Sequence, residues 1–235
     1  MTAISTDALR KEYGDVVALD GLSLSVEDGE LYGLLGPNGA GKTTMIEILT
    51  GQIKPTAGTA SVLGTDPVLD PVGVREKVGI LPEREDPPSF LTPREYFEFV
   101  CDVRDVDHDT APIDAWVERV GLEDKMDTLN KDLSKGEKQK VMIAQTFLHE
   151  PELVFIDEPL INLDPVIQER VKSFFESYRD DGNTIFLCTH VLSLAEELCT
   201  KVAIIENGRL EAEHDADELR DADDGLVGMF LDEVE

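Results

Sequence analysis

Cysteine is scarce in this sequence of 235 residues, and long apolar runs are absent. Cys101, Cys188 and Cys199 form no Cys-x-x-Cys pair and cannot all pair internally, which indicates a reducing cytosol and no zinc site. Because no run reaches about 18 apolar residues, we expect no segment to span a membrane unaided. Residues 1–13 alternate polar and charged side chains, so we expect no signal peptide.

Basic residues are also few: 21 Lys and Arg stand against 50 Asp and Glu, which gives a formal net charge of −29. Such a charge repels phosphate backbones, and the sequence therefore predicts no nucleic-acid partner. It also weakens the compact state through self-repulsion. One hypothesis is a salt-rich cytoplasm, where the Debye length shrinks to about 3 Å at 1 M and the repulsion is screened. The alternative is an acidic protein from an ordinary cytoplasm.

Short, continuous apolar runs predict strands that helices cover on both faces, as in a mostly parallel sheet. These runs are residues 31–35, 78–81, 153–156, 184–188 and 202–205. Strict alternation over residues 22–26 instead predicts a strand of an antiparallel sheet with one face in water.

Helical periodicity separates these runs. Apolar residues at helical spacing begin at Ile113 and stop before Gly121, and two further stripes cover residues 167–178 and 191–198. Thr92, Pro93 and Glu95 have the pattern of a helix start with a capping box. The alternation of strands and helices predicts an α/β fold.

The order of these signals predicts how the chain is divided. Only helical signals occur from residue 85 to 150, which predicts a helical subdomain inserted into the sheet domain. We expect the core, with its antiparallel β part, to comprise residues 1–84 and 151–212. Residues 213–235 then form an acidic tail.

The strongest motif follows the apolar run 31–35 and matches G-x-x-x-x-G-K-[ST] in full. Its glycines let successive backbone N–H groups converge on phosphates, and the following helix adds its positive dipole end. Lys42 then supplies a full charge, and the Thr43 hydroxyl is a ligand for Mg²⁺. The candidate phosphate-binding residues are Gly36, Pro37, Asn38, Gly39, Ala40, Gly41, Lys42, Thr43 and Thr44.

A second motif is the apolar run 153–156, which ends in Asp157 and Glu158. Strands often end in solvated carboxylates, but next to a phosphate loop this pattern is typical of a Walker B element. Asp157 is then predicted to hold Mg²⁺, and Glu158 to polarise the water that attacks the γ-phosphate. The presence of Glu158 favours hydrolysis over nucleotide binding alone.

From Tyr13 to about Leu210 the sequence resembles the ATP-binding cassette family, with the family's motifs in their usual order. The resemblance implies a P-loop NTPase core that binds ATP with Mg²⁺ and works as a head-to-tail homodimer. It also implies a separate transmembrane permease subunit that holds the chain at the cytoplasmic face of the membrane. Each ATP would lie between the phosphate loop of one copy and the signature loop of the other.

Ser134, Lys135, Gly136 and Glu137 occupy the signature position of that family, 23 residues before Asp157 when counted from Ser134. Taken locally, Ser134 and Glu137 form a capping box, and the two interpretations are compatible. A capped helix start is also an anion site, suited to a γ-phosphate from the partner. Lys135 replaces the usual Gly and should help bind phosphate. Glu137 replaces the usual Gln and should lower the affinity for phosphate.

The resemblance assigns three more residues. Tyr13 corresponds to the aromatic residue that stacks on adenine, and His190 to the switch histidine that contacts the γ-phosphate. Asp164 corresponds to the loop that links the two sites across the dimer. Without the family, Tyr13 would be predicted as a core or rim residue and His190 as a helix-start residue.

Glu83 takes the place of a Gln that usually touches Mg²⁺ and the attacking water. We therefore assign it to both the metal site and the catalytic group. A carboxylate binds Mg²⁺ more strongly but repels the γ-phosphate when no metal is bound. Together with the signature position, it indicates the single-cassette branch whose partners are exporter-type membrane subunits.

We expect this partner to dock between residues 83 and 92, where Pro87, Pro88 and Phe90 predict an apolar patch. An ordinary connecting loop is the alternative. Two other functions stay open: a soluble cassette ATPase that acts on DNA or ribosomes, and a regulatory cassette with weak turnover. The net charge argues against the first, and Glu158 with His190 against the second.

Overall fold

The computed structural model describes residues 1–83, 85–160 and 162–215. Its strands are β1 (Thr2–Tyr13), β2 (Val16–Glu27), β3 (Leu31–Leu35), β4 (Ala57–Val62), β5 (Val78–Leu81), β6 (Leu153–Asp157), β7 (Thr184–Thr189), β8 (Lys201–Glu206) and β9 (Arg209–Asp215). Its α-helices are α1 (Lys42–Leu49), α2 (Pro71–Lys77), α3 (Pro93–Arg104), α4 (Ile113–Val120), α5 (Lys135–Phe147), α6 (Pro165–Asp180) and α7 (Leu192–Leu198). The predicted α/β fold is confirmed.

The central sheet has six strands in the order β5-β6-β7-β3-β8-β9. All pairs are parallel except β8 with β9. Every residue of β3, β6 and β7 is buried, which explains why their sequences are continuous apolar runs. Because β6, β7 and β3 are neighbours, the loops after their carboxyl ends meet at one edge of the sheet, where such folds bind ligands.

A second sheet is antiparallel, with the order β2-β1-β4. The alternation over residues 22–26 predicted only part of β2, which begins at Val16. Strand β1 was not predicted, because register shifts interrupt its pairing with β2 and break the alternation of buried and exposed residues. The sheet shares an apolar core with α1 and with one face of the central sheet.

Between β5 and β6, the described residues form helices α3, α4 and α5 and two short 3₁₀ turns. The predicted capping box is present, since Thr92 Oγ1 accepts the Glu95 N–H at 3.2 Å and Glu95 Oε2 accepts the Thr92 N–H at 2.9 Å. Helix α4 ends at Gly121, whose φ of 65° is left-handed, as expected for a helix C-cap.

An aromatic cluster joins these helices to α6. Trp116 stacks on Phe147 with ring centroids 4.9 Å apart and meets Phe174 edge-on at 4.5 Å. The guanidinium of Arg119 lies 4.7 Å from the Trp116 ring and 4.4 Å from the Phe174 ring. These contacts connect α4 and α5 to α6, the helix that follows Asp164.

The C-terminal strand β9 reaches Asp215, beyond the predicted core boundary at residue 212. Glu213, His214 and Asp215, predicted as the beginning of an acidic tail, therefore belong to the central sheet. Residues 216–235 of the predicted tail lie outside the described residues. In the part of the chain that is described, no helix has the length and apolar character needed to cross a membrane.

Candidate active site

The phosphate loop connects β3 to α1 and is held by close backbone packing. A Cβ at Gly36 would lie 2.3 Å from the Ile205 carbonyl oxygen, and one at Gly41 would lie 2.5 Å from that of Ala18. Gly41 also has a φ of 112°, which other residues rarely adopt. Only glycine fits at these two positions, so the motif residues are needed for the loop to form.

Lys42 lies over this loop. Its Nζ donates to the Gly36 carbonyl oxygen at 2.6 Å and is 3.1 Å from that of Pro37. The side chain is buried, with 7% of its surface exposed. The ammonium therefore lies against the loop's own carbonyls, within the turn whose amides can take a phosphate.

A cavity of about 880 Å³ opens beside the loop. Predicted site residues line it: Asn38, Gly39, Gly41, Lys42, Thr43, Thr44, Glu83, Asp157, Glu158 and His190. The structure thus brings the phosphate loop, the Walker B acids, Glu83 and His190 to one place. Residues that the sequence did not predict also line it: Ala18, Glu47, Glu85, Tyr96, Met142 and Gln145. Nothing in their local sequence distinguishes these from ordinary residues of helices, strands and loops.

Asp157 and Thr43 are in contact at the floor of the cavity. The Thr43 hydroxyl donates to Asp157 Oδ2 at 2.9 Å, and Asp157 is 3% exposed. Burial raises the pKa of Asp157; the Thr43 hydrogen bond opposes this, and the charges of Glu83 and Glu158 add to it. Several carboxylates therefore share one cavity, a surplus of negative charge that a divalent cation would offset. Their oxygens are the hard ligands that Mg²⁺ prefers.

Glu158 follows β6 with a φ of 52°, a left-handed conformation that is uncommon outside glycine. Its backbone N–H donates to the Cys188 carbonyl at 3.0 Å, so the turn continues the contact between β6 and β7. Its carboxylate Oε1 accepts the His190 N–H at 2.8 Å and lies 2.5 Å from His190 Nδ1. Glu158 and His190, predicted from separate motifs, are therefore direct partners.

The signature residues lie elsewhere, and none of them lines the cavity. Ser134 caps α5, and its Oγ accepts the Glu137 N–H at 3.3 Å while Glu137 Oε2 accepts the Ser134 N–H at 2.8 Å. Lys125 Nζ is 3.0 Å from Glu137 Oε1. The Ser134 backbone N–H, followed by Lys125, lowers the pKa of Glu137 to about 2. The carboxylate of Glu137, which stands in place of the usual Gln, is thus held by the hydrogen bonds of the helix cap.

Tyr13 and Asp164 are also away from the cavity. Tyr13 is 47% exposed at the β1–β2 turn, with Lys11 Nζ 4.9 Å from its ring centroid. Asp164 caps α6 by accepting the Ile167 N–H at 3.1 Å, and Lys140 lies 3.7 Å from its carboxylate. The hydrogen bond from Ile167 lowers the pKa of Asp164. Their predicted roles in nucleotide binding stay predictions.

The segment predicted to dock a partner is less apolar at its surface than expected. Pro87 is buried, Pro88 is half-buried, and Phe90 is 75% exposed. Asn130 explains part of this, because its side-chain amide donates to the Pro88 carbonyl at 3.1 Å and fixes the segment to the helical part. Of the three predicted patch residues, Phe90 alone presents a large apolar side chain to solvent.

A glycine-rich loop between a buried parallel strand and a helix, facing an acidic strand end, defines a P-loop nucleoside triphosphatase. The model of the ABC transporter family matches residues 19–161, more than half of the chain. The chain belongs to this family, and the resemblance inferred from the motifs is confirmed.

Related proteins and a solved structure support the same family assignment. The chain is 35% identical over 221 residues to the daunorubicin resistance ATP-binding protein DrrA3 of Streptomyces coeruleorubidus, covering 93% of this chain and 70% of that protein. It is 36% identical over 220 residues to the bacitracin transport ATP-binding protein BcrA of Bacillus licheniformis, covering 93% and 72%. A solved ATP-binding subunit of an ABC transporter superposes with a TM-score of 0.93 at 28% identity, over 99% of this chain and all of that one. The chain is an ATP-binding subunit with ATPase activity, and the alternative cassettes are not favoured.

Proposed function

We propose that this ATPase powers export of a substrate through a separate membrane subunit, with two copies closing head-to-tail on ATP. The observation that carries the proposal is the cavity that joins the phosphate loop to Asp157, Glu158 and His190. The relatives named for drug resistance and bacitracin transport support the export assignment.

Phosphate binding is assigned to the loop amides and Lys42. The amides after β3 and the start of α1 present N–H groups and a positive dipole end to the triphosphate. Lys42, now bound to the Gly36 carbonyl, supplies the charge that offsets the β- and γ-phosphates. Binding the nucleotide thus exchanges internal hydrogen bonds of the lysine for contacts with phosphate.

Mg²⁺ fits the oxygen ligands of Thr43, Asp157 and Glu83, all of which line the cavity. When bound, the ion supplies charge neutralisation for the triphosphate. Thr43 and Asp157 contact each other, so the two proposed ligands lie side by side.

Glu158 is assigned to polarise the attacking water, and His190 to orient it and contact the γ-phosphate. Both line the cavity, and the contact between His190 Nδ1 and Glu158 Oε1 holds the two side chains together. Hydrolysis is then in-line transfer of the γ-phosphoryl group to water, catalysed by positioning and charge.

The head-to-tail dimer explains why the signature residues lie outside the cavity. Ser134 and Gly136 at the start of α5 would complete the site of the second copy, where the helix N-terminus faces its γ-phosphate. Asp164 at the start of α6 would link the two sites, and Tyr13 would stack on adenine.

The membrane subunit is proposed to contact Phe90 and to hold the chain at the cytoplasmic face. Phe90 is 75% exposed beside the helical part. Phe90→Asp should abolish copurification with the membrane subunit and leave basal ATPase activity intact. Loss of both together would mean that the segment is structural.

The function itself is tested with Lys42→Ala and Glu158→Gln. We expect Lys42→Ala to lose nucleotide binding, and Glu158→Gln to retain it while hydrolysis stops. Binding should be measured with labelled ATP and Mg²⁺ at several KCl concentrations. Unchanged binding in Lys42→Ala would contradict the assigned phosphate site.

A further inference from the structure

Both oxygens of the Glu158 carboxylate are hydrogen-bonded by the residues at the end of β7. Oε1 contacts the backbone N–H and Nδ1 of His190, at 2.8 and 2.5 Å. Oε2 accepts the Thr189 hydroxyl at 2.9 Å. Glu158 is 6% exposed and Thr189 is fully buried. The carboxylate is therefore fixed from two sides, and no motif pointed to Thr189.

The Thr189 hydroxyl has a fixed direction. Its oxygen accepts the Val191 N–H at 3.1 Å. A hydroxyl has one proton to donate, and here that proton is directed to Glu158 Oε2. The backbone around it is rigid, because Thr189 pairs with Leu35 in the parallel ladder between β7 and β3.

The two oxygens differ in what they can still accept. Each carboxylate oxygen has about two acceptor sites. His190 uses both on Oε1, with the proton assigned to Nδ1 because a second acceptor at 2.5 Å would be repelled. Thr189 uses one on Oε2. In the hydrogen bonds formed by the described residues, the remaining acceptor site of Glu158 is thus on Oε2.

We propose that Thr189 is a positioning residue that orients Glu158 so that Oε2 accepts the hydrogen bond of the attacking water. The inference rests on the proposed role of Glu158 in polarising that water. Without the Thr189 hydroxyl the carboxylate keeps only its contacts on Oε1 and can rotate about its last bond. Oε2 then leaves the position from which a water is activated.

Strand β7 offers a matched control at its other end. Thr184 is also a buried threonine, 2% exposed, and its hydroxyl accepts the Gly29 N–H at 2.9 Å. It is five residues from Thr189 and does not line the cavity. Thr184→Val therefore removes a buried hydroxyl from the same strand without touching Glu158.

The experiment compares steady-state ATPase activity of Thr189→Val, Thr189→Ser and Thr184→Val. We expect Thr189→Val to lower kcat by about 10- to 100-fold through misplacement of the carboxylate, with KM near the wild-type value. Thr189→Ser keeps the hydroxyl and should restore most of kcat. Thr184→Val should lower the melting temperature as Thr189→Val does and leave kcat unchanged. Thr189→Ala gives the same readout if the valine variant does not fold.

The Glu158→Gln variant distinguishes the proposal for Thr189 from the proposed role of Glu158 on which it rests. Wild-type kcat in Thr189→Val, or an equal loss in Thr189→Ser or Thr184→Val, would overturn the role of Thr189 even if Glu158→Gln is inactive. Full turnover in Glu158→Gln would instead show that Glu158 does not activate water, and both assignments would fall.

Discussion

The molecule has two regions to which anion binding is assigned, and they differ in how their residues are arranged. At the edge of the central sheet, Lys42, Asp157 and Glu158 are buried and hydrogen-bonded to other residues of the site. At the start of α5, Ser134 and Glu137 are capped by each other, and the site lies at the surface. One region is a preformed cavity; the other is a helix start at which the Ser134 and Glu137 N–H groups each donate to the other residue's side chain.

This difference determines how a substitution in each region affects stability and activity. The loop depends on backbone contacts so close that glycine alone fits, and its function and its folding therefore fail together. The helix start depends on side-chain hydrogen bonds that cost about 1 kcal/mol when lost, so stability and activity can be separated there.

Gly36→Ala should have the largest effect, because its Cβ would lie 2.3 Å from the Ile205 carbonyl oxygen. We expect loss of more than about 4 kcal/mol of stability and of all ATPase activity. Gly64→Ala is the comparison variant: unlike Gly36, Gly64 has a left-handed φ of +72°, but no atom lies within 4 Å of its Cβ position, so the variant should cost only about 1–2 kcal/mol. Urea unfolding measures both, and equal losses would contradict the role given to the Ile205 contact.

Ser134→Ala and Thr92→Ala compare two capping boxes in the same helical part. Each should cost about 1 kcal/mol of stability, because each removes the oxygen that accepts an N–H at a helix start. Only Ser134→Ala should also lower ATPase activity, by about tenfold or more, if Ser134 contacts phosphate across the dimer. Similar activity in the two variants would mean that Ser134 is a helix cap alone.

Glu83→Gln should change the Mg²⁺ dependence of hydrolysis. The carboxylate binds the ion more strongly but repels a metal-free triphosphate, so the wild type should depend more sharply on Mg²⁺ than the variant. Glu85→Gln is the matched control, since Glu85 lines the same cavity but is not assigned to the metal. ATPase rates across a Mg²⁺ titration provide the test, and superimposable curves for wild type and Glu83→Gln would refute it.

Glu137→Gln should have the smallest effect, and it should depend on pH. The folded pKa of Glu137 is lowered to about 2 from an ordinary 4.5, so its charge stabilises the fold above about 4.5. This contribution, about 1 kcal/mol or less for a partly exposed pair, is lost as the pH falls from about 4.5 towards 2. The unfolding free energies of the wild type and of Glu137→Gln should therefore converge as the pH falls through this range. A difference that stays constant with pH would exclude the Glu137 charge as the cause of the stability difference.

Much of the cavity was predictable because its chemistry needs consecutive residues. Gly36 to Thr43 and Asp157–Glu158 carry their own spacing, and the parallel strands before them carry continuous apolar runs. Their meeting follows from the strand order β6-β7-β3, which places three carboxyl ends side by side.

Other features depend on contacts between distant residues and leave no local pattern. Pro87 was predicted at the surface and is buried, and the carbonyl of the neighbouring Pro88 accepts a hydrogen bond from Asn130, more than 40 residues away. The role proposed for Thr189 depends on Glu158, 31 residues earlier. The end of β9 was missed because its acidic residues alternate between exposed and half-buried positions at a sheet edge.

The aromatic cluster has a practical consequence, since Trp116 is the single tryptophan of the chain. Its indole is enclosed by Phe147, Phe174 and the Arg119 guanidinium, on helices from both sides of the junction. Any rotation of α4 against α6 changes the surroundings of this one fluorophore. Intrinsic emission of Trp116 can thus report any such movement in unlabelled protein.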